Sequence, residues 1–485
     1  MKILFLHPNF PAQFRHLATA LGADPNHQVA YITARAEGEI PGVHKFLYQT
    51  THEVSGQTHR YVRPLEGAVS TGQAAWRTAH QMKTQLGFEP DVVYAHVGWG
   101  PGLFMKDLFP QARYIGFFEW YYHAQGADVG FDPAESVNAD DVARVQIKNA
   151  PILLELARCD AGIVPTHWQK QQFPPEFHQK LHVLHDGIDM TVCQPQSSTK
   201  LVLPSPMSGE QASVEIEKSK GFGKQTVGNQ AKSRRSSKGK GKKKEKLQAL
   251  RSQKKQQQRQ MIRATGLDLS DVGEIITYVA RGMEPYRGFP QFMAAVAKLQ
   301  KMRPHTHVVI VGEDRVAYGK ELADGRTYRK KALDELDLDL SRVHFTGPLP
   351  YDQLQQVYRA SSVHVYLSYP FVLSWSMLEA MASGCVVLGS KTAPVEEVIT
   401  DGENGFLVDF WDVGAIATQL NTLLESQASL DHIRQQARQT IDERYNLAKL
   451  LPQQIALLSG NQMGSQMNEA QMPPTRWETD WDKAA

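Results

Sequence analysis

The chain has 485 residues, more than one hydrophobic core usually supports, so two domains are expected. Its 41% hydrophobic and 21% charged residues are ordinary for a soluble globular protein. Cys159, Cys193 and Cys385 are widely separated, which argues against a disulfide framework or a thiolate zinc site and fits a reducing compartment. The net charge of +2 conceals an asymmetry: residues 218–259 hold 16 Lys/Arg and the single acid Glu245, so the remainder of the chain stands at −13.

The opening MKILFLHPNFP is too short and too soon broken by proline for a signal peptide, so it is expected to be a buried first strand. No apolar run approaches the roughly 20 residues needed to span a bilayer, and a cytoplasmic protein is expected. Further strands are expected at 28–33, 92–96, 112–118 and 161–165, with helical patterns such as QFRHLATAL and VQIKNAPILLELARC between them. Residues 197–260 break the pattern. They are rich in Ser, Gly, Lys and Gln, hold too little apolar surface to offset ordering entropy, and are expected to be a disordered insert. A second strand series follows at 274–280, 307–312, 343–347, 363–368, 386–390 and 405–408. Val/Ile-rich strands alternating with helices imply parallel sheets with ligands at their carboxyl ends. The expected division is one α/β domain over 1–196, the insert over 197–260, a second α/β domain over 261–455 and a tail over 456–485.

Three strand ends in the first half carry polar groups. Phe10, Pro11, Ala12 and Gln13 follow the first strand. His96 ends another strand, in YAHVGWG, where Gly98 and Gly100 permit close approach of a ligand. FFEWYYHAQ offers Glu119 and His123, either of which can take a catalytic part or serve as a structural hydrogen bonder. In YVARGMEPYRGFPQFM, Arg281 and Arg287 flank a turn before Gly288 and a helical pattern. Two cations beside a helix N-terminus suit a diphosphate, although two surface arginines give the same pattern. In SYPFVLSWSMLEAMASG, Ser374, Trp375 and Ser376 can offer N–H groups to phosphate oxygens. Glu379 can accept from ribose hydroxyls, or simply sit as a surface carboxylate at the positive helix end. Asp337 and Asp339 imitate a metal-binding DxD within a charged stretch better taken as solvated surface.

ARGMEPYRGF, VVIVGEDRVAYG, YPFVLSWSMLEAMASG and APVEEVITDGENGFLV together resemble the C-terminal lobe of family 4 retaining glycosyltransferases. HPNFPAQFRHLA, PTHWQKQQFP and HDGIDM resemble stretches of their N-terminal lobe. The resemblance covers about residues 1–195 and 265–455. It implies the GT-B fold, an α/β architecture of two facing Rossmann-like domains, and a hexosyltransferase-like activity. That activity is transfer from a nucleoside diphosphate sugar to a hydroxyl acceptor (saccharide, lipid-linked or small molecule) with retention and without metal or other cofactor. Arg281 and Arg287 match the family's Arg and Lys on the donor diphosphate, and Glu379 the second Glu of its E-x7-E motif, on the ribose. Phe371 stands where that motif has its first Glu. Two alternatives stay open: a sugar-nucleotide 2-epimerase on the same fold, and a non-catalytic sugar-nucleotide-binding protein tethered by the insert. For 218–259 two readings stay open: contact with an anionic membrane or RNA, or a solubilising loop with no partner, since Phe222 is its one aromatic.

Overall fold

The computed structural model describes residues 1–196, 201–203 and 267–460. Two units divide it: residues 1–187 with the described residues from 445 onward, and residues 188–444. The disorder expected of the insert concerns residues that lie, apart from 201–203, outside those described.

The first unit is built on a seven-stranded parallel sheet: β1 (Lys2–Leu6), β2 (Gln28–Thr33), β3 (Val43–Leu47), β4 (Val92–His96), β5 (Arg113–Phe117), β6 (Ala161–Val164) and β7 (Leu181–Val183). The spatial order is β3-β2-β1-β4-β5-β6-β7, so the strand order reverses between β1 and β4, where Ile3 pairs with Val92. Every residue of β4 is buried, as expected of a central parallel strand covered on both faces. Apolar cores lie on each side of the sheet, one holding Leu4, Leu6, Val93 and Tyr114, the other Ile3, Phe5, Tyr94 and Phe117.

A two-stranded antiparallel pair, β8 (Val202–Leu203) and β9 (Leu267–Asp268), precedes the sheet of the second unit. That sheet comprises β10 (Ile275–Gly282), β11 (His307–Glu313), β12 (Val343–Gly347), β13 (Val363–Tyr366), β14 (Val386–Ser390) and β15 (Phe406–Val408). Its order is β12-β11-β10-β13-β14-β15, all parallel, with the reversal between β10 and β13. The helix Phe289–Met302 covers it by burying Phe289, Phe292, Met293, Val296 and Leu299, an apolar stripe at 3.6-residue spacing. Two Rossmann-like units of parallel sheet are therefore present, as the strand pattern implied.

The boundaries differ from the expected ones in three places. Residues 188–196 belong to the second unit rather than the first. Residues 201–203, placed in the insert, are ordered because Leu201 and Leu203 bury beside Leu269, Ile275 and Val357. The helix Leu447–Ser459 joins the first unit, cutting across the expected 455/456 boundary. Its Leu450, Leu457 and Leu458, spaced along one face, bury with Leu17 and Leu21, and Gln454 Nε2 donates to the His185 carbonyl at 2.9 Å.

Candidate functional site

In doubly wound sheets, ligands bind beyond the carboxyl ends of the strands where the order reverses. In the second unit that position is occupied by Arg287. Gly288 follows it at φ +63°, and a Cβ there would lie 2.4 Å from the Leu367 Cβ, so only glycine lets this turn press against the end of β13. Arg287 is thereby 6% exposed. Its Nη1 donates to Tyr366 Oη at 2.9 Å and to Ser368 Oγ at 2.6 Å, and its Nη2 to the Val372 carbonyl at 2.9 Å. All three acceptors are uncharged, and they use three of the five guanidinium N–H groups. Among the described residues Arg287 makes no ion pair within 4 Å.

Glu284, fully buried three residues earlier, accepts instead from the backbone N–H groups of Tyr318 (2.9 Å) and Gly319 (2.7 Å). It clamps the loop after β11 to the turn and sets the Tyr318 ring 5.6 Å from the Arg287 guanidinium carbon. Arg281, at the carboxyl end of β10, is exposed.

Ser374 caps the helix Trp375–Ala382, its Oγ accepting weakly from Ser376 N–H at 3.4 Å. Its own N–H, expected to face a phosphate, donates to Tyr366 Oη at 2.8 Å, so Tyr366 accepts from both Arg287 and Ser374. Trp375 and Ser376 open the helix beside it. Glu379 is 9% exposed rather than on the surface, and its two oxygens accept from Tyr351 Oη (2.9 Å) and Tyr358 Oη (3.4 Å).

The reversal in the first unit gathers different chemistry. Asn9 N–H donates to His7 Nδ1 at 2.8 Å, which leaves the His7 proton on Nε2 for Gln13 Oε1 at 3.0 Å. Gln13 Nε2 donates to Glu119 Oε1 at 2.9 Å, and Glu119 Oε2 lies 3.6 Å from Nε2 of the buried His96. The His7 and His96 rings meet edge to face at 4.5 Å. Three expected residues, Gln13, His96 and Glu119, thus converge from the ends of β1, β4 and β5.

Other expected positions go elsewhere. His123 Nε2 donates to the Gln172 carbonyl at 2.8 Å, away from this group. Phe10 packs into the core between Tyr31 (4.8 Å) and the Lys45 ammonium (4.7 Å), and the Pro11 carbonyl accepts from Tyr31 Oη at 3.1 Å. Gly98 and Gly100 admit protein rather than a ligand: a Cβ on Gly100 would sit 2.0 Å from the Ala68 carbonyl oxygen, and one on Gly98 would be 3.2 Å from Ile152. His7 and Glu284 were not singled out from sequence, nor was Gln169. Gln169 opens the PTHWQ turn and donates to the Glu119 carbonyl at 2.6 Å. Their signal lay inside the resembling motifs, but partners such as Tyr318 for Glu284 and Glu119 for Gln169 lie 34 and 50 positions away.

Residues 25–193 match the model of the glycosyl transferase family 4 group, and residues 267–440 that of glycosyl transferases group 1. The chain belongs to the family 4 glycosyltransferases. It is 30% identical over 166 residues to a D-inositol 3-phosphate glycosyltransferase of Corynebacterium efficiens, across 34% of this chain and 38% of that one. Over 134 residues it is 32% identical to a sulfoquinovosyl transferase of Arabidopsis thaliana, across 27% and 25% of the two chains. The chain therefore spans little more than a third of the length of the first of these relatives. Among solved structures it resembles a sucrose-phosphate synthase from Thermosynechococcus elongatus (TM-score 0.63, 16% identity, 95% of this chain and 98% of that one). It also resembles Anabaena HepE in complex with UDP and glucose (0.57, 16%, 95% and 100%). These neighbours have the GT-B fold, which this family member shares.

Against that family pattern, Phe371 departs for a visible reason. It is 8% exposed and meets Tyr286 (5.5 Å) and Tyr318 (5.4 Å) at steep angles, while Tyr286 stacks on Tyr369 at 4.8 Å. An aromatic wall, braced by Glu284, takes the place of a carboxylate in this member. Asp337 pairs with Lys301 at 3.2 Å, and Asp339 accepts from Ser341 and Arg342. Among the described residues no three His, Cys, Asp or Glu side chains gather as a metal site requires. None of the described helices is long and apolar enough to cross a membrane.

Proposed function

We propose that this chain is a retaining glycosyltransferase that moves a sugar from a nucleoside diphosphate sugar to a hydroxyl acceptor without a metal. The observation that carries the reading is Arg287, a buried guanidinium whose hydrogen-bond acceptors are all neutral and which, among the described residues, makes no ion pair within 4 Å, the buried Glu284 acting on it only from farther off. Burying an unpaired charge is costly, and a diphosphate at the reversal between β10 and β13 supplies the missing anion. Because the guanidinium is already fixed, it needs no reorganisation as negative charge grows on the departing diphosphate. Arg281 adds a second, solvent-facing cation to the same strand end, and the first turn of the helix at Ser374, Trp375 and Ser376 adds its dipole. Glu379 receives the ribose. Glu119, with His96 and Gln13, accepts from hydroxyls of the sugar or the acceptor. Retention and metal independence follow the family resemblance, and a cytoplasmic location follows the scattered cysteines and the short apolar runs. The +15 stretch 218–259 is proposed to make salt-sensitive contact with an anionic membrane surface or RNA.

The test is release of nucleoside diphosphate from a panel of nucleotide sugars, beginning with UDP-glucose, with and without an acceptor mixture and in excess EDTA. Acceptor-dependent release that survives EDTA supports the proposal. Tight donor binding with no turnover on any acceptor overturns it.

A further inference from the structure

We propose that Tyr351 is a positioning residue for nucleotide recognition, acting through Glu379, with Cys193 as the group that fixes Tyr351. The inference rests on the reading of Glu379 as the ribose acceptor and extends it to residues that no family motif marks.

Tyr351 opens the helix Tyr351–Arg359, and Tyr358 lies seven residues on, two turns along the same face. From that face both phenols reach the helix Trp375–Ala382, one to each oxygen of Glu379. Cys193 comes from the segment ahead of both helices. Its backbone is pinned by its N–H to the Asp189 carbonyl (2.8 Å) and by Arg438 Nη1 on its own carbonyl (3.0 Å). Its sulfur lies 3.4 Å from Tyr351 Oη. The single phenolic proton goes to the carboxylate, the stronger acceptor, so the thiol donates to the phenol oxygen. Burial pushes that thiol up to about 12, which keeps its proton in place for the purpose. The chain of donors therefore runs in one direction, from Cys193 to Tyr351 to Glu379.

Two features separate this from ordinary packing. Tyr351 is 40% exposed, yet its hydroxyl turns inward to a carboxylate that is 9% exposed. A glutamate side chain also has three torsions to fix, and a tyrosine on each oxygen fixes the plane of the carboxylate. A vicinal diol needs both oxygens in one fixed plane. Holding that plane in the absence of ligand removes an ordering cost from binding.

The experiment is calorimetric titration of the full chain with UDP, ADP and GDP, then with the 2′-deoxy and 3′-deoxy forms of whichever binds most tightly. The proteins are wild type, Tyr351→Phe, Cys193→Ala and Glu379→Gln, each checked for its thermal midpoint. Glu379→Gln should weaken the ribonucleotide about tenfold or more, Tyr351→Phe about fivefold and Cys193→Ala about twofold. Affinity for the deoxy forms should stay within about twofold in all four proteins. If no nucleoside diphosphate binds wild type, or Glu379→Gln binds like wild type, the ribose reading falls and takes this inference with it. If Glu379→Gln weakens binding while Tyr351→Phe and Cys193→Ala do not, the positioning role alone is overturned. The same holds if Tyr351→Phe weakens ribo and deoxy forms equally. Should Tyr351→Phe fail to fold, the ribose dependence of Cys193→Ala decides the matter by itself.

Discussion

Both sheets reverse their strand order near the middle, between β1 and β4 in one and between β10 and β13 in the other, but the groups collected there have opposite electrical character. The second unit presents a buried cation, Arg287, on three neutral acceptors. The first presents a run of hydrogen bonds from His7 through Gln13 to the carboxylate of Glu119, with His96 beside it. Equal topology thus marks equivalent places in the two sheets, and the proposed function assigns a phosphate to the one and hydroxyl groups to the other.

The two units also handle buried charge differently. Arg287 cannot shed its proton, and its charge is offset by three neutral acceptors and by Glu284 at longer range. Glu155, enclosed in the first unit, can: burial pushes its carboxyl up to about 7, although Tyr114 Oη and the Gly98 N–H donate to it.

Breaking the second site has the largest expected effect. Arg287→Ala should weaken nucleoside diphosphate binding by roughly 3 kcal/mol, more than a hundredfold, measured by titration calorimetry. Arg287→Lys should fall between, since an ammonium keeps the charge but not the forked geometry that serves Tyr366, Ser368 and Val372 together.

Glu155 gives the next effect, on stability rather than binding. Its folded value lies above the ordinary 4.5, so its contribution is fully present below about pH 4.5 and lost as pH rises through about 7. The loss amounts to about 3 kcal/mol in the limit of full burial. Urea unfolding of Glu155→Gln across that window should show a shallower decline with pH than wild type. Parallel curves would mean that the carboxyl is ionised and stabilised by its two donors throughout.

Glu119→Gln sharpens the contrast between units. Turnover should fall about tenfold while nucleoside diphosphate affinity stays within twofold, because the change lies in the unit that does not hold the phosphates. Equal losses in both would erase the division of labour. Arg281→Ala should have the smallest effect, about 0.5–1 kcal/mol on affinity, and it should vanish at high salt because this side chain faces solvent. The Arg287→Ala loss should persist in the same salt series.

Much of the fold was legible because buried parallel strands announce themselves as Val/Ile runs: KILFL, VVYAH and HVVIVG all form central strands. β3 and β7 were missed for the converse reason. VHKFL is half exposed and has His44 and Lys45 at its centre, and LHV has only three residues. At the site, Arg287 and Glu119 could be found from their place after a strand. Arg287's burial could not, since it depends on Leu367, Tyr366 and Ser368 some 80 residues later. Gly98 and Gly100 were misjudged because a glycine signals close approach without saying of what. Glu379 looked like a surface carboxylate for a similar reason, its tyrosine partners lying 21 and 28 residues earlier in the chain.

The helix Leu447–Ser459 makes the first unit discontinuous, with all of residues 188–444 inserted between its two parts. During synthesis, residues 1–187 emerge first but lack the leucines at 450, 457 and 458 that complete one of their two cores. The unit that begins the chain is therefore the last to close, after the inserted unit has already had its full sequence to fold. A fragment ending near residue 196 leaves Leu17 and Leu21 without the leucines that pack on them. Supplying the helix as a separate peptide should restore the missing piece without the intervening unit.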